Sequence, residues 1–172
     1  MTGAVLQTLQ TGRWQLQTAV SSARFTVSNL GVRTVHGQLP IREAWVDVDQ
    51  AGRPISLAAT LELDRIDTGN PHRDADLRKP NLLDLDRYPS LMFAADSIVL
   101  GADGWLVAGT LTGRGRTVPM ELTAQITARG EDGPVTVAAD AVLDRRALAV
   151  RAPRLMIGAV VRVQLHAVFS VP

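Results

Sequence analysis

Residues 118–127 read V-P-M-E-L-T-A-Q-I-T, and every second residue of this stretch is apolar. Successive side chains of a β-strand point to opposite faces of a sheet, whereas a helix repeats its apolar face every three or four residues. The stretch therefore predicts a strand with one apolar and one polar face. Its apolar face would carry Val118, Met120, Leu122, Ala124 and Ile126.

The same alternation recurs along most of the chain. In residues 55–64, for example, Ile55, Leu57, Ala59, Leu61 and Leu63 would all face one way. Many strands joined by short turns predict an antiparallel sandwich or barrel in a single domain. The other clear strands are 35–41, 135–143 and 157–169; less regular ones are expected at 13–20, 22–29, 44–48, 92–100 and 105–111, with turns at 50–54, 102–104, 113–115 and 130–134.

The inward sets of these strands mix Leu, Val, Ile and Met with many alanines and few aromatic residues. An eight-stranded barrel is about wide enough inside for its own side chains or for one ligand. Small inward residues would leave room for a ligand, but alanines also suit tight strand packing. The pattern alone leaves both interpretations open.

One polar segment interrupts the strands. Residues 70–86 read N-P-H-R-D-A-D-L-R-K-P-N-L-L-D-L-D. Asn70 is a suitable N-cap, Pro71 suits the first helical position, and Pro80 would end the helix, which predicts a short helix over residues 71–79. Such a helix is too short to be stable alone, so it must dock on the sheet. Its docking groups would be Leu77, Leu82, Leu83 and Leu85.

Three motifs in order carry a family resemblance: R-D-x-x-L followed by N-L-L-D, then Y-P-x-L-x-F, then G-x-L-T-x-x-G-x-T-x-P-x-x-L. With an upstream stretch they span residues 14–169, and their combination resembles the YceI-like family of polyisoprenoid-binding, lipocalin-like proteins. The matching residues are Arg73, Asp74, Leu77, Asn81, Leu82, Leu83, Asp84, Tyr88, Pro89, Leu91, Phe93, Gly109, Leu111, Thr112, Gly115, Thr117, Pro119 and Leu122, preceded by Trp14, Ser22, Phe25, Val27, Gly31, Val35 and Gly37.

The resemblance implies an all-β fold: an eight-stranded, antiparallel, up-and-down barrel in one domain over residues 1–172, with residues 1–12 loosely ordered. It implies an elongated apolar cavity for a long isoprenoid lipid of the polyprenyl or quinone type, a possible homodimer, no cofactor and no enzymatic activity. The ligand-binding residues would be Phe25, Val27, Leu39, Leu61, Arg73, Asp74, Leu77, Leu82, Phe93, Leu111, Met120 and Leu122.

The chain departs from the family pattern at four places. Asp76 stands where the family usually has His, Leu82 and Leu83 stand for Phe-Phe, and Leu39 stands for Phe. The family's Arg-x-x-Phe-Gly element is R-R-A-L-A at residues 145–149 here. At these positions smaller side chains replace the family's rings. We therefore expect the ligand of this chain to differ from that of the family more than its fold does.

Composition excludes several other classes. The net charge is +1 and no basic run occurs, which argues against nucleic acid and anionic membrane surfaces as partners. There is no cysteine for disulfides or thiol catalysis, and no apolar run of about 18 residues for a membrane span. Residues 1–12 lack the form of a signal peptide, so a cytoplasmic location is expected unless a leader has been removed.

The polar residues of the insert allow two interpretations. Arg73 could reach a lipid head group or pyrophosphate while Asp74 pairs locally. Alternatively, Asp74 and Arg78 form an i,i+4 pair, worth about 0.3–0.5 kcal/mol, and Arg73 braces a loop. The nearby Asp84 and Asp86 are expected to solvate the chain before Tyr88.

No other polar group indicates catalysis or metal binding. His36, His72 and His166 lack metal-ligand spacing, and Ser21 and Ser22 lack the context of a nucleophile. The tripeptide at 113–115, G-R-G, is interpreted as a turn. A lipid-modifying enzyme would need a polar cluster inside the barrel, and a packed barrel without ligand would act through an exposed apolar patch; these remain the rival functions.

The sequence allows two roles for each group of aromatic residues. Phe25, Phe93 and Trp14 either line the cavity or fill the barrel base. Trp45 and Trp105 lie near turns, where they would suit a rim or a dimer contact.

Overall fold

The computed structural model describes residues 9–29, 33–130, 133–150 and 160–171. Ten strands and one α-helix lie within these residues, and every strand pair is antiparallel. The elements are β1 Gly12–Leu16, β2 Ser22–Asn29, β3 Arg33–Leu39, β4 Ile41–Val48, β5 Pro54–Glu62, α1 Pro71–Leu77, β6 Ser90–Gly101, β7 Gly104–Gly113, β8 Arg116–Arg129, β9 Val135–Asp144 and β10 Val160–Ser170.

The ten described strands close into an eight-stranded barrel, because two of its strands are each broken in two. A 3₁₀ turn at Thr18–Val20 separates β1 from β2, and both pair with β10. Pro40 separates β3 from β4, which pair with β2 and β1 respectively. Every other neighbour in the barrel is also the next strand in sequence. The predicted up-and-down barrel is therefore confirmed.

Inward and outward side chains follow the predicted alternation in most strands. In β8, Leu122 is buried and its outward neighbours Glu121 and Thr123 are exposed. The prediction is wrong for Ile55, whose relative exposure is 59%. Asp47 pairs with Ser56 but Val48 pairs with Pro54, so Ile55 is the extra residue of a β-bulge and turns outward. The predicted strand positions 157 and 159 lie outside the described residues.

The two ends of the barrel differ. The closed end carries the start of β1 and the β4–β5, β6–β7 and β8–β9 connections. There Leu9 N donates to Gly52 O (3.0 Å), and Thr11 Oγ1 donates to Asp49 O (2.8 Å). These bonds hold residues 9–11 against the β4–β5 turn; residues 1–8 lie outside the described chain. The other end, which we call the mouth, carries the β5–β6 and β7–β8 connections, the end of β2, the start of β3 and residues 145–150 after β9.

The β5–β6 connection is the predicted insert. The side chain of Asn70 accepts a hydrogen bond from Arg73 N (3.1 Å) and Pro71 opens α1, as expected. The helix ends at Leu77, two residues before the predicted end. Lys79 N bonds to Asp76 O in a tighter i→i+3 turn, since a residue before proline is disfavoured in the α conformation.

The insert is anchored through a buried leucine. Leu85 is only 1% exposed and belongs to the core cluster of the barrel, as does Leu63, which is 6% exposed and directly follows β5. Leu83 packs against the same cluster, whereas Leu77 and Leu82 are half-buried at the mouth. Docking by leucines is thus confirmed, with Leu85 as the deepest anchor.

Trp45 lies on the outer face of the barrel and Trp105 lies near the closed end. The Arg13 guanidinium stacks on Trp45 at 4.0 Å and forms a two-point ion pair with Asp47, with N–O distances of 2.7 and 2.9 Å. The hydrogen bond from Arg13 lowers the pKa of Asp47. Trp105 packs against buried core residues such as Val107.

Candidate functional site

A cavity of about 740 Å³ occupies the barrel interior and reaches the mouth. This volume is within the range of small-molecule sites, about 300–1,000 Å³. All ten described strands contribute apolar side chains to its wall. Its polar lining residues are Arg24 on β2, Thr68, several residues of the insert, Arg114 in the β7–β8 turn and Arg145 after β9. The cavity is therefore an apolar chamber with a polar mouth.

Eleven of the twelve predicted ligand-binding residues line this cavity, and Asp74 does not. Contact with a ligand stays a prediction for all of them. Arg73, Leu77 and Leu82 lie at the mouth, and the wall residues are Phe25, Val27, Leu39, Leu61, Phe93, Leu111, Met120 and Leu122.

Two glycines hold the phenylalanine rings against the wall. Phe25 pairs with Gly37 on the neighbouring strand, and a Cβ placed on Gly37 would lie 2.1 Å from the Phe25 ring. A Cβ on Gly109 would lie 2.8 Å from Phe93 Cζ. Each ring thus takes the space of the missing side chain. Phe25 and Phe93 line the cavity, and the glycines keep their rings from projecting into it.

The cavity has a floor. Five residues line both the main cavity and a second void of about 80 Å³ at the closed end, so they form a partition between the two. Below the partition Trp14 is 6% exposed and donates its Nε1–H to Gln10 O (2.9 Å). Trp14 therefore fills the barrel base. The partition consists of Leu57, Val107, Ala124, Val137 and Phe169.

A hydrogen-bonded group of three residues fixes the start of the insert. Asp74 accepts hydrogen bonds from Thr68 N (3.1 Å) and Thr68 Oγ1 (2.5 Å). Arg73 donates from Nε to Thr68 Oγ1 (2.8 Å) and from Nη2 to Thr68 O (2.9 Å). Asp74 pairs locally, and Arg73 braces the loop while it also lines the cavity.

The expected Asp74–Arg78 pair is wrong. Arg78 bonds instead to the Asp86 carboxylate (3.1 Å) and to Asp64 O (3.3 Å). The Asp74 carboxylate already accepts hydrogen bonds from Thr68. Asp84 is also unlike the expectation, since it is buried to 6% exposure with a left-handed φ of 52°. Its carbonyl accepts hydrogen bonds from two following main-chain N–H groups, which turn the chain toward β6.

The exposed side of α1 borders the mouth. Lys79 Nζ lies 2.9 Å from Asp76 Oδ1, and His72 Nε2 lies 3.7 Å from Asp76 Oδ2. The hydrogen bond from Lys79 lowers the pKa of Asp76, with a smaller contribution from the charge of His72. The His72 side chain is 90% exposed, and His36 and His166 are exposed on strands β3 and β10.

Arg114 joins three connections at the mouth, a role that the sequence analysis missed. It has a φ of 53° in the β7–β8 turn and donates from Nη1 to Ala149 O and from Nη2 to Pro80 O. It therefore ties this turn to the insert and to the β9–β10 connection. Topology gives a usable signal: in an up-and-down barrel alternate connections share one end, so this turn had to lie beside the insert.

Arg145 is the other cation that the sequence left without a role. It is 7% exposed, lines the cavity and donates from Nη1 to Val150 O (2.7 Å). The 3₁₀ turn that it begins ends at Leu148 and is followed by Ala149, which has a left-handed φ of 58°. The resemblance places glycine at this position, and glycine adopts that conformation without steric strain.

Across the described residues, no helix has the length and apolar character needed to cross a membrane. The same residues contain no group of three or more His, Cys, Asp or Glu side chains placed to hold a metal ion.

Solved structures with this architecture come from several bacteria. Burkholderia cenocepacia BcnA superposes with a TM-score of 0.74 at 21% identity, covering 89% of this chain and 98% of that chain. A polyisoprenoid binding domain from Saccharophagus degradans gives 0.68 at 16% identity, covering 92% and 98%. The Campylobacter jejuni YCEI protein gives 0.71 at 18% identity, covering 84% and 90%. At these identities the likeness shows the fold.

Sequence comparison gives the family. A UPF0312 protein of Yersinia enterocolitica is 25% identical over 109 residues, which are 63% of this chain and 57% of that protein. A UPF0312 protein of Yersinia pestis is 31% identical over 72 residues, 42% of this chain and 38% of that protein. The matched segments thus span about four- to six-tenths of these relatives. The profile of the YceI-like domain matches residues 14–169, nearly the whole barrel, and the chain belongs to the YceI-like family.

Proposed function

We propose that this protein binds, sequesters or carries a long-chain isoprenoid-type lipid, of the polyprenyl or quinone kind, in its barrel cavity. The observation that carries the proposal is the distribution of polarity. The cavity wall is apolar down to the partition, and nearly all of its polar lining residues are at the mouth. Such a chamber suits a ligand with a long apolar chain and one polar end.

The energetics favour a long chain. Burying one methylene contributes about 0.8 kcal/mol, whereas association costs roughly 4–15 kcal/mol in lost freedom. A ligand that relies on apolar contacts therefore needs on the order of ten or more carbons. The polyisoprenoid binding domain of Saccharophagus degradans, which shares this fold, supports the same ligand class.

A binding role suits the chamber better than an enzymatic one. A lipid-modifying enzyme needs an acid or base beside the buried chain. Among the described residues that line the wall below the mouth, the side chains are apolar except for Arg24. A homodimer and a cytoplasmic location, both expected from the sequence, stay predictions.

Native mass spectrometry before and after solvent extraction tests the proposal. We expect the purified protein to carry lipid at near-stoichiometric amount and to take up polyprenyl or quinone lipids after extraction. An unliganded mass together with no uptake of either lipid would contradict it.

A matched pair of variants shows whether the lipid lies in the barrel. Ala139 is buried on β9 and lines the cavity, while its neighbour Ala138 is half-buried on the other face of the strand. Ala139→Phe should fill part of the chamber and lower the amount of bound lipid, whereas Ala138→Phe should not. Melting temperatures of both variants separate lost binding from lost folding. Equal lipid loading of the two variants would place the ligand elsewhere.

A further inference from the structure

The β7–β8 turn carries a guanidinium whose hydrogen bonds are incompletely satisfied. Arg114 lines the cavity, and its two Nη groups donate to main-chain carbonyls of Pro80 and Ala149. Among the buried side-chain nitrogen and oxygen atoms of the described residues, its Nε is the one without a hydrogen-bond partner. The large majority of buried polar groups in proteins are paired, so this unpaired Nε–H is a donor that becomes available to an acceptor when the Arg114 side chain turns toward the cavity.

The charged side chains that line the cavity are mostly basic. The described lining residues comprise five basic side chains and one acidic side chain, although the chain as a whole has 18 basic and 17 acidic residues. Asp76, the acidic one, is already paired with Lys79. Four of the five basic residues lie at the mouth, namely Arg73, Lys79, Arg114 and Arg145, and the fifth is Arg24 on β2.

Two of these cations have only neutral acceptors. Within the described residues, Arg73 donates to the hydroxyl and carbonyl of Thr68, and Arg114 donates to two carbonyls. Neither forms an ion pair there. Positive charge beside an apolar, poorly screened chamber attracts an anion more strongly than the same charge in water. The mouth therefore offers two guanidinium groups to a negatively charged partner.

We propose that Arg114, assisted by Arg73, selects chain lipids whose polar end is an anion, such as a phosphate or carboxylate, over neutral lipids of the same chain. The inference rests on the proposed function, because it concerns the polar end of a lipid held in that cavity. Hydrogen bonds between ionised partners are roughly twice as strong as neutral ones. A guanidinium that turns toward an anionic oxygen exchanges a carbonyl acceptor for a charged one and brings its Nε–H into use.

Two lipids that differ only in the polar end test the selection. Dissociation constants of geranylgeranyl phosphate and geranylgeraniol are measured with the lipid-extracted protein. We expect the phosphate to bind at least 10-fold more tightly than the alcohol. In Arg114→Gln this ratio should fall below threefold, because the affinity for the phosphate falls more than the affinity for the alcohol. Arg116→Gln removes an exposed arginine that does not line the cavity, and it should keep the original ratio.

The outcomes separate the two proposals. Equal affinities of the unsubstituted protein for phosphate and alcohol overturn the charge selection and leave lipid binding in place, whereas no binding of either lipid overturns both. An unchanged ratio in Arg114→Gln overturns the role of that residue. Inorganic phosphate should not displace the lipid phosphate; displacement at similar concentrations would overturn the proposal in favour of a free-anion site. If Arg114→Gln does not fold, the test uses the ratio of alcohol to phosphate dissociation constants in the unsubstituted protein and in Arg73→Gln. We expect that ratio to fall partially in Arg73→Gln, and an unchanged ratio would overturn the role of the two arginines.

Discussion

The two ends of the barrel are built from the same alternating strands, yet one end is packed and the other is open. Below the partition, Trp14 and Trp105 surround a void of only about 80 Å³. Above it, alanines and rings held against glycines leave about 740 Å³. The difference teaches that the size of the inward side chains, and not the strand pattern, decides whether a barrel is filled. Stability should therefore depend mainly on the closed end and binding on the open one.

Trp14→Ala gives the largest expected effect, because it removes the ring that fills the closed end. Truncating a buried Trp lowers the free energy of unfolding by about 3–5 kcal/mol. Urea unfolding measures the loss, and the folded fraction should still bind lipid, since Trp14 lies below the partition. Trp45→Ala on the outer face is the control and should lose about 1 kcal/mol with its cation–π contact. Similar losses of unfolding free energy in the two variants would contradict the larger contribution that we assign to the buried closed end.

Two glycine substitutions at the open end sharpen the comparison. A Cβ on Gly109 would lie 2.2 Å from the main-chain oxygen of Ala94, whereas the three atoms nearest to a Cβ on Gly37 all belong to the movable ring of Phe25. We expect Gly109→Ala to destabilise the fold by about 2–3 kcal/mol and Gly37→Ala by about 1 kcal/mol. Gly37→Ala should instead push the ring into the chamber and weaken lipid uptake. Chemical denaturation and lipid loading are compared for both; normal loading of Gly37→Ala would contradict the proposed role of the pair.

Ala149→Gly should stabilise the mouth, where all three left-handed non-glycine residues of the described chain lie, namely Asp84, Arg114 and Ala149. A left-handed conformation costs a residue with a Cβ about 1–2 kcal/mol, and part of the gain is lost to the greater freedom of glycine in the unfolded chain. We expect a net increase of about 1 kcal/mol in the free energy of unfolding. Ala147→Gly, in the same 3₁₀ turn, is the matched control and should destabilise. A gain in both variants would mean that the backbone angle is not the cause.

The smallest effect concerns an exposed pair at the mouth. Hydrogen bonding from the Arg146 guanidinium lowers the pKa of Asp144 to about 2. A lowered pKa in the folded state stabilises the protein above the ordinary value of 3.8, and this contribution is lost as the pH falls through about 2. Carboxyl chemical shifts followed by NMR should give a midpoint near 2, which Arg146→Gln should raise. An unchanged midpoint in that variant would assign the shift to another group.

The alternation of apolar and polar residues predicted most of the cavity wall, because a repeat of two residues can be recognised within one strand without knowing its contacts with other strands. All five inward residues of β8 are correct for this reason. Ile55 was wrong since a bulge depends on how β4 and β5 pair, which no single strand reveals. The N-cap at Asn70 was readable from adjacent residues, and the early end of the helix also has a local cause, because Lys79 precedes a proline and leaves the α conformation.

The polar residues of the mouth were harder to predict than the wall. Arg114 is separated from Pro80 and Ala149 by more than 30 residues in either direction, so its contacts exist only after the barrel closes. The partition between the cavity and the barrel base was equally hard to predict from the sequence. Its five residues come from five strands, and their common height follows from the stagger of the whole barrel.

Under the proposed function, the partition also makes the affinity of the barrel depend on the length of the lipid chain. A chain that enters at the mouth gains apolar contacts with each added carbon until its tip reaches Phe169 and its neighbours in the floor. Any further carbon must bend back or stay in water, so affinity plotted against chain length should rise and then reach a plateau. The position of that plateau is set by where the closed end begins, and a smaller residue in place of Phe169 would move it to longer chains.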